Sequence, residues 1–239
     1  MAEAELETIE HRVEGRTIVE LKRRGEAYEI WWDGKCRLAT DRHGGEDSFI
    51  DLALAQLRDR DDITVVLGGR GRGDTLQQIL KHPGVKRVDV VERSPSVLAW
   101  AKQYFGGLNG DAVVDPRVHL HEGQLLEFLE RPKHADMPAE GWMAIVVDTD
   151  ASATDLWYED NAGLYTEDGL LRLERGLRAG GVLSCKVNGR DLELQKRLMG
   201  LYQNVAEVCV PVEIGEAMEF HYVYRGRRPA QTDPNKPKN

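Results

Sequence analysis

The alternation of helical and apolar-strand patterns from Asp47 onward limits the architecture more than any other feature of this sequence. Apolar residues at helical spacing predict helices over residues 47–57, 75–81, 95–105, 124–130, 166–177 and 191–202. Continuous apolar runs predict strands over residues 63–69, 87–91, 117–121, 142–147 and 181–187. Strands that are apolar on both faces and separated by helices are typical of a parallel sheet covered by helices on each side. The sequence therefore predicts an α/β fold.

The two ends of the chain follow different patterns. Residues 205–214 and 220–224 are predicted strands whose connection is too short for a parallel crossover, so an antiparallel hairpin closes the sheet. Near the other end, alternating residues broken at Arg24-Gly25 and Asp33-Gly34 predict three antiparallel strands. The predicted division is a polar helical lead-in at 1–15, a small N-terminal β unit at 16–46, the α/β domain at 47–224 and a disordered tail at 225–239.

The acidic charge of the chain restricts its partners. Its 239 residues include 32 Lys and Arg against 41 Asp and Glu, for a net charge of −9. A nucleic-acid partner is not expected, because such affinity comes from neutralising phosphates. The acidic start is unlike a signal peptide, and no apolar run reaches the roughly 18 residues of a membrane span, so we expect a cytoplasmic protein without a membrane partner. The spacing of Cys36, Cys185 and Cys209 predicts neither a disulfide frame nor a zinc site.

A glycine-rich turn links the first predicted parallel strand to its helix. The turn contains Gly68, Gly69, Arg70, Gly71 and Gly73. Its GxGxG spacing differs from the dinucleotide pattern GxGxxG, which favours a single nucleoside as ligand and disfavours a nicotinamide-linked oxidoreductase.

An acidic residue ends the next predicted strand. Glu92 lies 23 residues beyond Gly69, where a carboxylate can hold both ribose hydroxyls of a nucleoside. Together with the glycine turn, it predicts a nucleoside site. The alternative is an ordinary strand-to-helix turn followed by a solvent-facing glutamate.

At this point the sequence resembles the spermidine synthase-like branch of the class I S-adenosylmethionine (SAM)-dependent transferases. The residues that carry the resemblance are Trp32-Asp33-Gly34, the glycine turn, LKHPGVKRVDVVERSPSVLAWAKQYF, Asp115-Pro116-Arg117-Val118, Gly123, Asp148 and LYTEDGLLRLERGLRAGGVL. The resemblance implies a Rossmann-like SAM-dependent methyltransferase fold, with a mostly parallel seven-stranded sheet and a C-terminal antiparallel hairpin. It also implies that the glycine turn surrounds the tail of the donor, that Glu92 and Arg93 belong to the donor site and that Gln124 lies beside adenine.

Departures from the family pattern decide the predicted reaction. Aminopropyltransferases have Asp at the positions of Gly71 and Gln124, and a Gln near the position of Arg37. The flanking Arg70 and Arg72 suit the carboxylate of intact SAM, which decarboxylated SAM lacks, although both could equally be exposed to solvent.

The leading prediction is therefore alkyl transfer, methyl in first place, from intact SAM to a small amine or similar nucleophile. Alternatives are aminopropyl transfer from decarboxylated SAM, 3-amino-3-carboxypropyl transfer and SAM cyclisation, each releasing methylthioadenosine. A non-catalytic nucleoside-binding subunit is the alternative of another class. The resemblance is also compatible with a homodimer.

The predicted acceptor end contains two acids and a tyrosine. Asp148, at the end of the fourth strand, is the candidate catalytic residue, because an amine must lose a proton before it attacks. Asp150 and Tyr165 are candidates for orienting the substrate. Their alternatives are a strand-end cap for either acid and core packing for Tyr165. Two carboxylates without a third ligand predict no metal site.

Overall fold

The computed structural model describes residues 4–42, 44–105, 112–131, 137–150, 152–214 and 217–230. In these ranges the strands form two sheets, one of four strands and one of seven. The four-stranded sheet belongs to the N-terminal part of the chain, and the seven-stranded sheet carries the helices.

The N-terminal sheet is an antiparallel meander of consecutive strands. They are β1 (Leu6–Glu14), β2 (Thr17–Arg24), β3 (Ala27–Trp32) and β4 (Lys35–Ala39). The predicted strands of this unit and both predicted turns are confirmed. The helical lead-in is wrong, because residues 6–14 form β1, paired along its length with β2. Its prediction failed because β1 is mostly polar, so that its two-residue period is weak in apolar residues.

The seven-stranded sheet confirms the predicted parallel core and closing hairpin. Its strands are β5 (Ile63–Gly68), β6 (Val85–Glu92), β7 (Val118–Glu122), β8 (Trp142–Val147), β9 (Leu177–Asn188), β10 (Gln203–Ile214) and β11 (Ala217–Arg227). Their order is β10-β11-β9-β8-β5-β6-β7, and β7, β6, β5, β8 and β9 are parallel. β11 is antiparallel to both β9 and β10. The predicted tail begins too early, because β11 continues to Arg227; residues 231–239 lie outside the described residues.

Six α-helices in the described ranges cover the large sheet. They are α1 (Glu46–Ala53), α2 (Asp74–Lys81), α3 (Pro95–Gln103), α4 (Leu125–Glu130), α5 (Glu167–Gly176) and α6 (Leu192–Leu201). α1 and α2 share one buried apolar cluster, and α4, α5 and α6 share another. Helices therefore lie on both faces of the sheet, as the apolar strands predict. Within the described ranges, no helix has the length and apolar character needed to cross a membrane.

The N-terminal sheet packs on α3. Trp32 and Ile30 share a buried cluster with Trp100 and Val97. Polar contacts reinforce this interface: Glu10 accepts hydrogen bonds from the Trp100 indole and the Tyr104 hydroxyl, both at 2.9 Å. The small sheet is thereby fixed against the large domain, and β4 comes to lie beside the glycine turn.

Asp89, at the centre of β6, is a fully buried carboxylate. It accepts hydrogen bonds from Arg87 at 2.7 Å, from the Trp142 indole at 2.9 Å and is paired with the His121 ring at 2.9 Å. Burial by itself would raise the pKa of Asp89, but the hydrogen bonds from these neighbours outweigh it and hold the pKa far below its usual range. Asp89 therefore links β6 to its neighbour β7 and to the start of β8.

Candidate active site

A cleft of about 320 Å³ opens at the carboxyl edge of the parallel strands. The ends of β5, β6, β8 and β9 form its floor, with β4 on one side and β11 on another. The predicted site residues that line it are Gly69, Arg70, Gly71, Gly73, Glu92, Arg93, Gln124, Asp148 and Asp150. β5 lies where the strand order reverses, which is the usual ligand position in open α/β sheets.

Two predicted residues lie behind the cleft and do not line it. A Cβ on Gly68 would come within 2.6 Å of the Leu125 side chain, so Gly68 allows α4 to pack against β5. Tyr165 is 2% exposed and belongs to the apolar cluster beneath α5. Any effect of Tyr165 on a substrate would have to pass through other residues.

Gly69 brings the end of β5 against the end of β8. Its φ is +86°, and a Cβ there would lie 2.4 Å from the carbonyl oxygen of Asp148. A side chain does not fit at this distance. The glycine thus lets the turn rest directly on the backbone at Asp148 and leaves main-chain atoms facing the ligand space.

Glu92 holds the glycine turn to the start of α3. One carboxylate oxygen accepts hydrogen bonds from the backbone N–H groups of Arg70 at 2.9 Å and Gly71 at 3.4 Å. The other oxygen accepts from the N–H of Ser94 at 2.8 Å. Burial raises the pKa of Glu92, and these backbone hydrogen bonds only partly offset the effect. Glu92 is therefore a positioned acid at the cleft wall, and the alternative of a solvent-facing glutamate is wrong.

The two arginines of the turn are engaged by the protein itself. Arg70 is 2% exposed, and its Nη1 donates to the carbonyls of Gly71 at 3.0 Å and Arg72 at 2.9 Å. Its Nε and Nη2 are shielded from solvent and have no hydrogen-bond partner among the described residues. Burial lowers the pKa of Arg70 to about 10.

Arg72 is buried as well, at 7% exposure. It pairs with Asp74 and lies 3.7 Å from Glu46. The expectation that both arginines could be exposed to solvent is therefore wrong. Neither guanidinium is an open fork toward the cleft, which removes the reason for preferring a donor that carries a carboxylate.

Arg93 and Gln124 form the opposite end of the cleft. The Arg93 guanidinium lies over the Tyr158 ring at 4.1 Å and donates to Asp160. The Gln124 amide donates to the same carboxylate at 3.3 Å. Stacking of a guanidinium on an aromatic face stabilises a planar surface at this wall. This end of the cleft therefore combines a guanidinium stacked on a ring with an amide side chain.

Asp148 is paired with a lysine that the sequence analysis did not single out. The Lys186 ammonium lies 2.7 Å from Oδ1 of Asp148, and the Thr75 hydroxyl donates to Oδ2 at 2.6 Å. Burial would raise the pKa of Asp148, but the Lys186 charge outweighs it and the pKa is lowered. The pKa of Lys186 is raised, because attraction to Asp148 exceeds the effect of burial. The signal was present in the sequence: Lys186 is the charged residue near the end of an apolar strand, where neighbouring parallel strands also end.

Hydrogen-bond donors of the protein itself occupy the carboxylate of Asp150. It accepts from the Trp157 N–H at 2.8 Å, the Asn161 amide at 3.0 Å, the Thr149 hydroxyl at 2.8 Å and the Tyr165 hydroxyl at 3.3 Å. Burial raises the pKa of Asp150 in spite of these donors. This arrangement fits an acid that shapes the loop after β8. Over the described part of the chain, no group of three or more His, Cys, Asp or Glu residues is placed to hold a metal ion.

Comparison with known proteins identifies the family to which this arrangement belongs. The family model for the spermine/spermidine synthase domain matches residues 48–218, well over half of the chain. The chain belongs to the spermine/spermidine synthase family. The resemblance drawn from the glycine turn and its flanking segments is thereby confirmed.

Curated members of this family are similar over part of their length. A polyamine aminopropyltransferase of Mycobacterium tuberculosis is 26% identical over 162 residues, which are 67% of this chain and 29% of that protein. Spermidine synthase 2 of Datura stramonium is 32% identical over 126 residues, 51% of this chain and 35% of that protein. A polyamine aminopropyltransferase of Sodalis glossinidius is 24% identical over 173 residues, which are 71% of this chain and 58% of that protein. The chain thus spans less than two thirds of each of these relatives.

Solved spermidine synthase structures share the fold. The crystal structure of a spermidine synthase in complex with the transition state analogue AdoDATO superposes with a TM-score of 0.71 at 16% identity, covering 94% of this chain and 75% of that one. Spermidine synthase from Thermotoga maritima gives a TM-score of 0.68 at 16% identity, and the superposition covers 94% of this chain and 74% of that one. The predicted Rossmann-like sheet with its N-terminal β unit is confirmed.

Proposed function

We propose that the chain transfers an aminopropyl group from decarboxylated SAM to a small amine. The observation that carries this proposal is the placement of Glu92 and Asp148 in one cleft, at the ends of β6 and β8, the two strands that flank β5 and its glycine turn. Membership of the spermine/spermidine synthase family supports this reaction over methyl transfer, the first prediction from the sequence.

The engagement of Arg70 and Arg72 inside the protein supports the same choice of donor. Intact SAM would have its carboxylate near the turn, where Arg72 is paired with carboxylates and Arg70 donates to carbonyls through Nη1 and keeps Nε and Nη2 shielded from solvent. A donor without a carboxylate does not need them. The Asp that family aminopropyltransferases have at the position of Gly71 is missing, so the donor amine would be held by other groups.

In this proposal, different residues of the cleft bind different parts of the donor. Glu92 receives the ribose hydroxyls, while Gln124 and the Arg93–Tyr158 stack border the base. The backbone of the glycine turn lies along the tail of the donor. In the reaction, the amine nitrogen forms a bond to the carbon next to the sulfonium, the carbon–sulfur bond breaks, and its electron pair stays on sulfur to give neutral methylthioadenosine.

Asp148 acts on the attacking nitrogen. An amine with an ordinary pKa carries a proton at pH 7, and removing it costs about 5 kcal/mol. With its lowered pKa, Asp148 is a weak base, so its contribution is to orient the nitrogen and to stabilise the positive charge that grows on it as the new bond forms. The ammonium of the free amine releases this proton to solvent before the attack, and the secondary ammonium formed by the attack carries the positive charge that the sulfonium loses.

Product analysis tests this proposal. The protein is incubated with decarboxylated or intact SAM and an amine mixture, and nucleosides are identified by mass spectrometry. We expect methylthioadenosine from decarboxylated SAM; S-adenosylhomocysteine from intact SAM would instead identify a methyltransferase. Methylthioadenosine from intact SAM would indicate 3-amino-3-carboxypropyl transfer or cyclisation, and binding without any product would indicate a non-catalytic subunit.

Two substitutions separate donor binding from turnover. Asp148→Asn should retain binding of methylthioadenosine in calorimetry and reduce kcat, whereas Glu92→Ala should abolish binding. Asp168→Asn is the matched control, because its side chain is 78% exposed on α5. Full activity of Asp148→Asn with every amine that the wild type accepts would contradict the assigned role.

A cytoplasmic location and a homodimer stay predictions.

A further inference from the structure

We propose that His221 is a further catalytic residue, which takes the proton from the acceptor ammonium in the cleft and passes it to solvent. This inference rests on the proposed function, because it assigns one step of the same reaction. It is carried by the position of the imidazole on the cleft wall near Asp148, and by two ring nitrogens that have no hydrogen-bond partner among the described residues.

His221 lies on β11 at the acceptor end of the cleft. Its side chain lines the cleft together with those of Asp148 and Lys186. In the antiparallel register, His221 is opposite Asn188 and Val223 is opposite Lys186. Alternate residues of a strand share a face, so His221 and Lys186 lie on the same face of the sheet as diagonal neighbours. Since Lys186 contacts Asp148 at 2.7 Å, the imidazole is one neighbour away from the acid proposed to orient the attacking nitrogen.

The imidazole of His221 is buried, but its polar atoms are unused. The residue is 8% exposed, and both Nδ1 and Nε2 are shielded from solvent without a hydrogen-bond partner in the part of the chain that the structure describes. A histidine that only filled the core would be expected to have such a partner, because a buried polar group left unpaired is costly. The terminal torsion of a histidine side chain is broad, so a turn of the ring brings a nitrogen to a ligand in the cleft. An ammonium N–H there would supply the missing partner.

The charged groups around His221 determine its protonation state. β9 contributes the ammonium of Lys186, β8 contributes Asp148, and β11 itself contributes Glu219, whose carboxylate lies 3.7 Å from Nε2. The other charged side chains from α1 and the glycine turn that line this end are Glu46, Arg72 and Asp74. Burial and the Lys186 charge lower the pKa of His221, against the opposing effect of Glu219 and Asp148. The ring is therefore neutral at pH 7 and able to accept a proton, and Glu219 is placed to stabilise the imidazolium that results.

The proposed step moves one proton. An N–H bond of the acceptor ammonium breaks, its electron pair stays on the amine nitrogen, and the proton binds to a ring nitrogen of His221. The neutral amine then attacks the donor carbon, and the imidazolium releases its proton to solvent. Asp148 is less suited to this step, because its pKa is lowered from that of an ordinary aspartate. The two residues therefore have separate tasks: Asp148 orients the nitrogen and His221 removes its proton.

The pH dependence of kcat/KM for the acceptor tests the inference. Decarboxylated SAM is saturating, and the acceptor is the amine that gives most methylthioadenosine in the product analysis. We expect the wild-type kcat/KM to be level from about pH 7 to about pH 9, where the ammonium and the neutral imidazole are both abundant. His221→Gln can use only amine that is already neutral in solution. Its kcat/KM should therefore rise about tenfold per pH unit over this range and lie about 100-fold or more below the wild-type value at pH 7.

His11→Gln is the matched control, because His11 is exposed on β1 and does not line the cleft. It should keep the level profile of the wild type. Since a loss of activity through a structural defect would lower kcat/KM at every pH, the slope of the profile reports the proton transfer itself.

The outcomes separate this inference from the proposed function. Absence of methylthioadenosine release from the wild type with any amine would refute the proposed function, and with it the step assigned to His221. Product formation with a wild-type kcat/KM that itself rises about tenfold per pH unit would overturn the role of His221 alone. So would a His221→Gln protein that binds methylthioadenosine and keeps a level profile. If His221→Gln does not fold, His221→Asn and the wild-type profile decide.

Discussion

Replacing Gly69 by alanine tests whether the contact between the ends of β5 and β8 shapes the cleft. At the observed φ of +86°, an L side chain costs roughly 1–2 kcal/mol. The new Cβ would also lie 2.4 Å from the Asp148 carbonyl oxygen and 3.2 Å from the Cα of Thr149. Because these are backbone atoms, the main chain must move, at a further ~1–3 kcal/mol as in overpacked cores. We expect Gly69→Ala to lower the free energy of unfolding by about 2–5 kcal/mol, the sum of the two costs.

Gly71→Ala is the matched control. Its φ is +49°, but the nearest atom to a Cβ there is Cδ1 of Leu38 at 3.6 Å, an ordinary contact. Gly71→Ala therefore has only the cost of placing an L residue at positive φ, without the steric clash. The remaining difference of about 1–3 kcal/mol corresponds to roughly 2–12 °C in Tm for a chain of this length. Thermal unfolding measures the difference, and calorimetry with methylthioadenosine should show weaker binding for Gly69→Ala. Equal Tm values for the two variants, or wild-type binding of methylthioadenosine by Gly69→Ala, would refute the reasoning.

Three further predictions concern the supporting contacts. Asp89→Asn should lower the free energy of unfolding by about 3 kcal/mol, because Arg87 loses a buried charged partner; chemical denaturation measures it, and a loss below about 1 kcal/mol would contradict the assignment. The pKa of Asp89 is lower in the folded protein than in the unfolded chain, where it is about 4. Its ionised carboxylate therefore stabilises the fold above pH ~4, and this stabilisation is lost as the pH falls below that value. The free energy of unfolding of Asp89→Asn should consequently depend less on pH below ~4 than that of the wild type. Glu14→Ala removes the acceptor of hydrogen bonds from Ser94 and Tyr158, and it should lower the free energy of unfolding by about 2 kcal/mol. It should also weaken the binding of methylthioadenosine. Unchanged affinity in calorimetry would show that β1 does not support the proposed donor site.

The sequence predicts best where the signal is local. The parallel strands are short apolar segments between helices, and the glycine turn and Glu92 are recognisable by spacing. The sheet and the meeting of the turn with Glu92 in one cleft could therefore be predicted. β1 could not, because its strand character depends on pairing with β2 and on contacts with Trp100 in a distant helix.

The contacts of charged side chains are harder to predict from sequence. The Asp148–Lys186 pair joins ends of two adjacent strands, which only the sheet order brings together. The burial of Arg70 depends on carbonyls of its own turn, and a sequence pattern carries no information on where such a side chain points.

The packing of the small sheet on α3 has a consequence for trimming the protein. The family match begins at residue 48, yet Leu38 and Ala39 of β4 form part of the cleft. A truncated chain that starts at that boundary would lose one wall of the binding chamber and would open the apolar side of Trp100 to water. The four-stranded sheet is therefore an integral part of the folded unit that forms the cleft, and deletion series for expression should keep it whole.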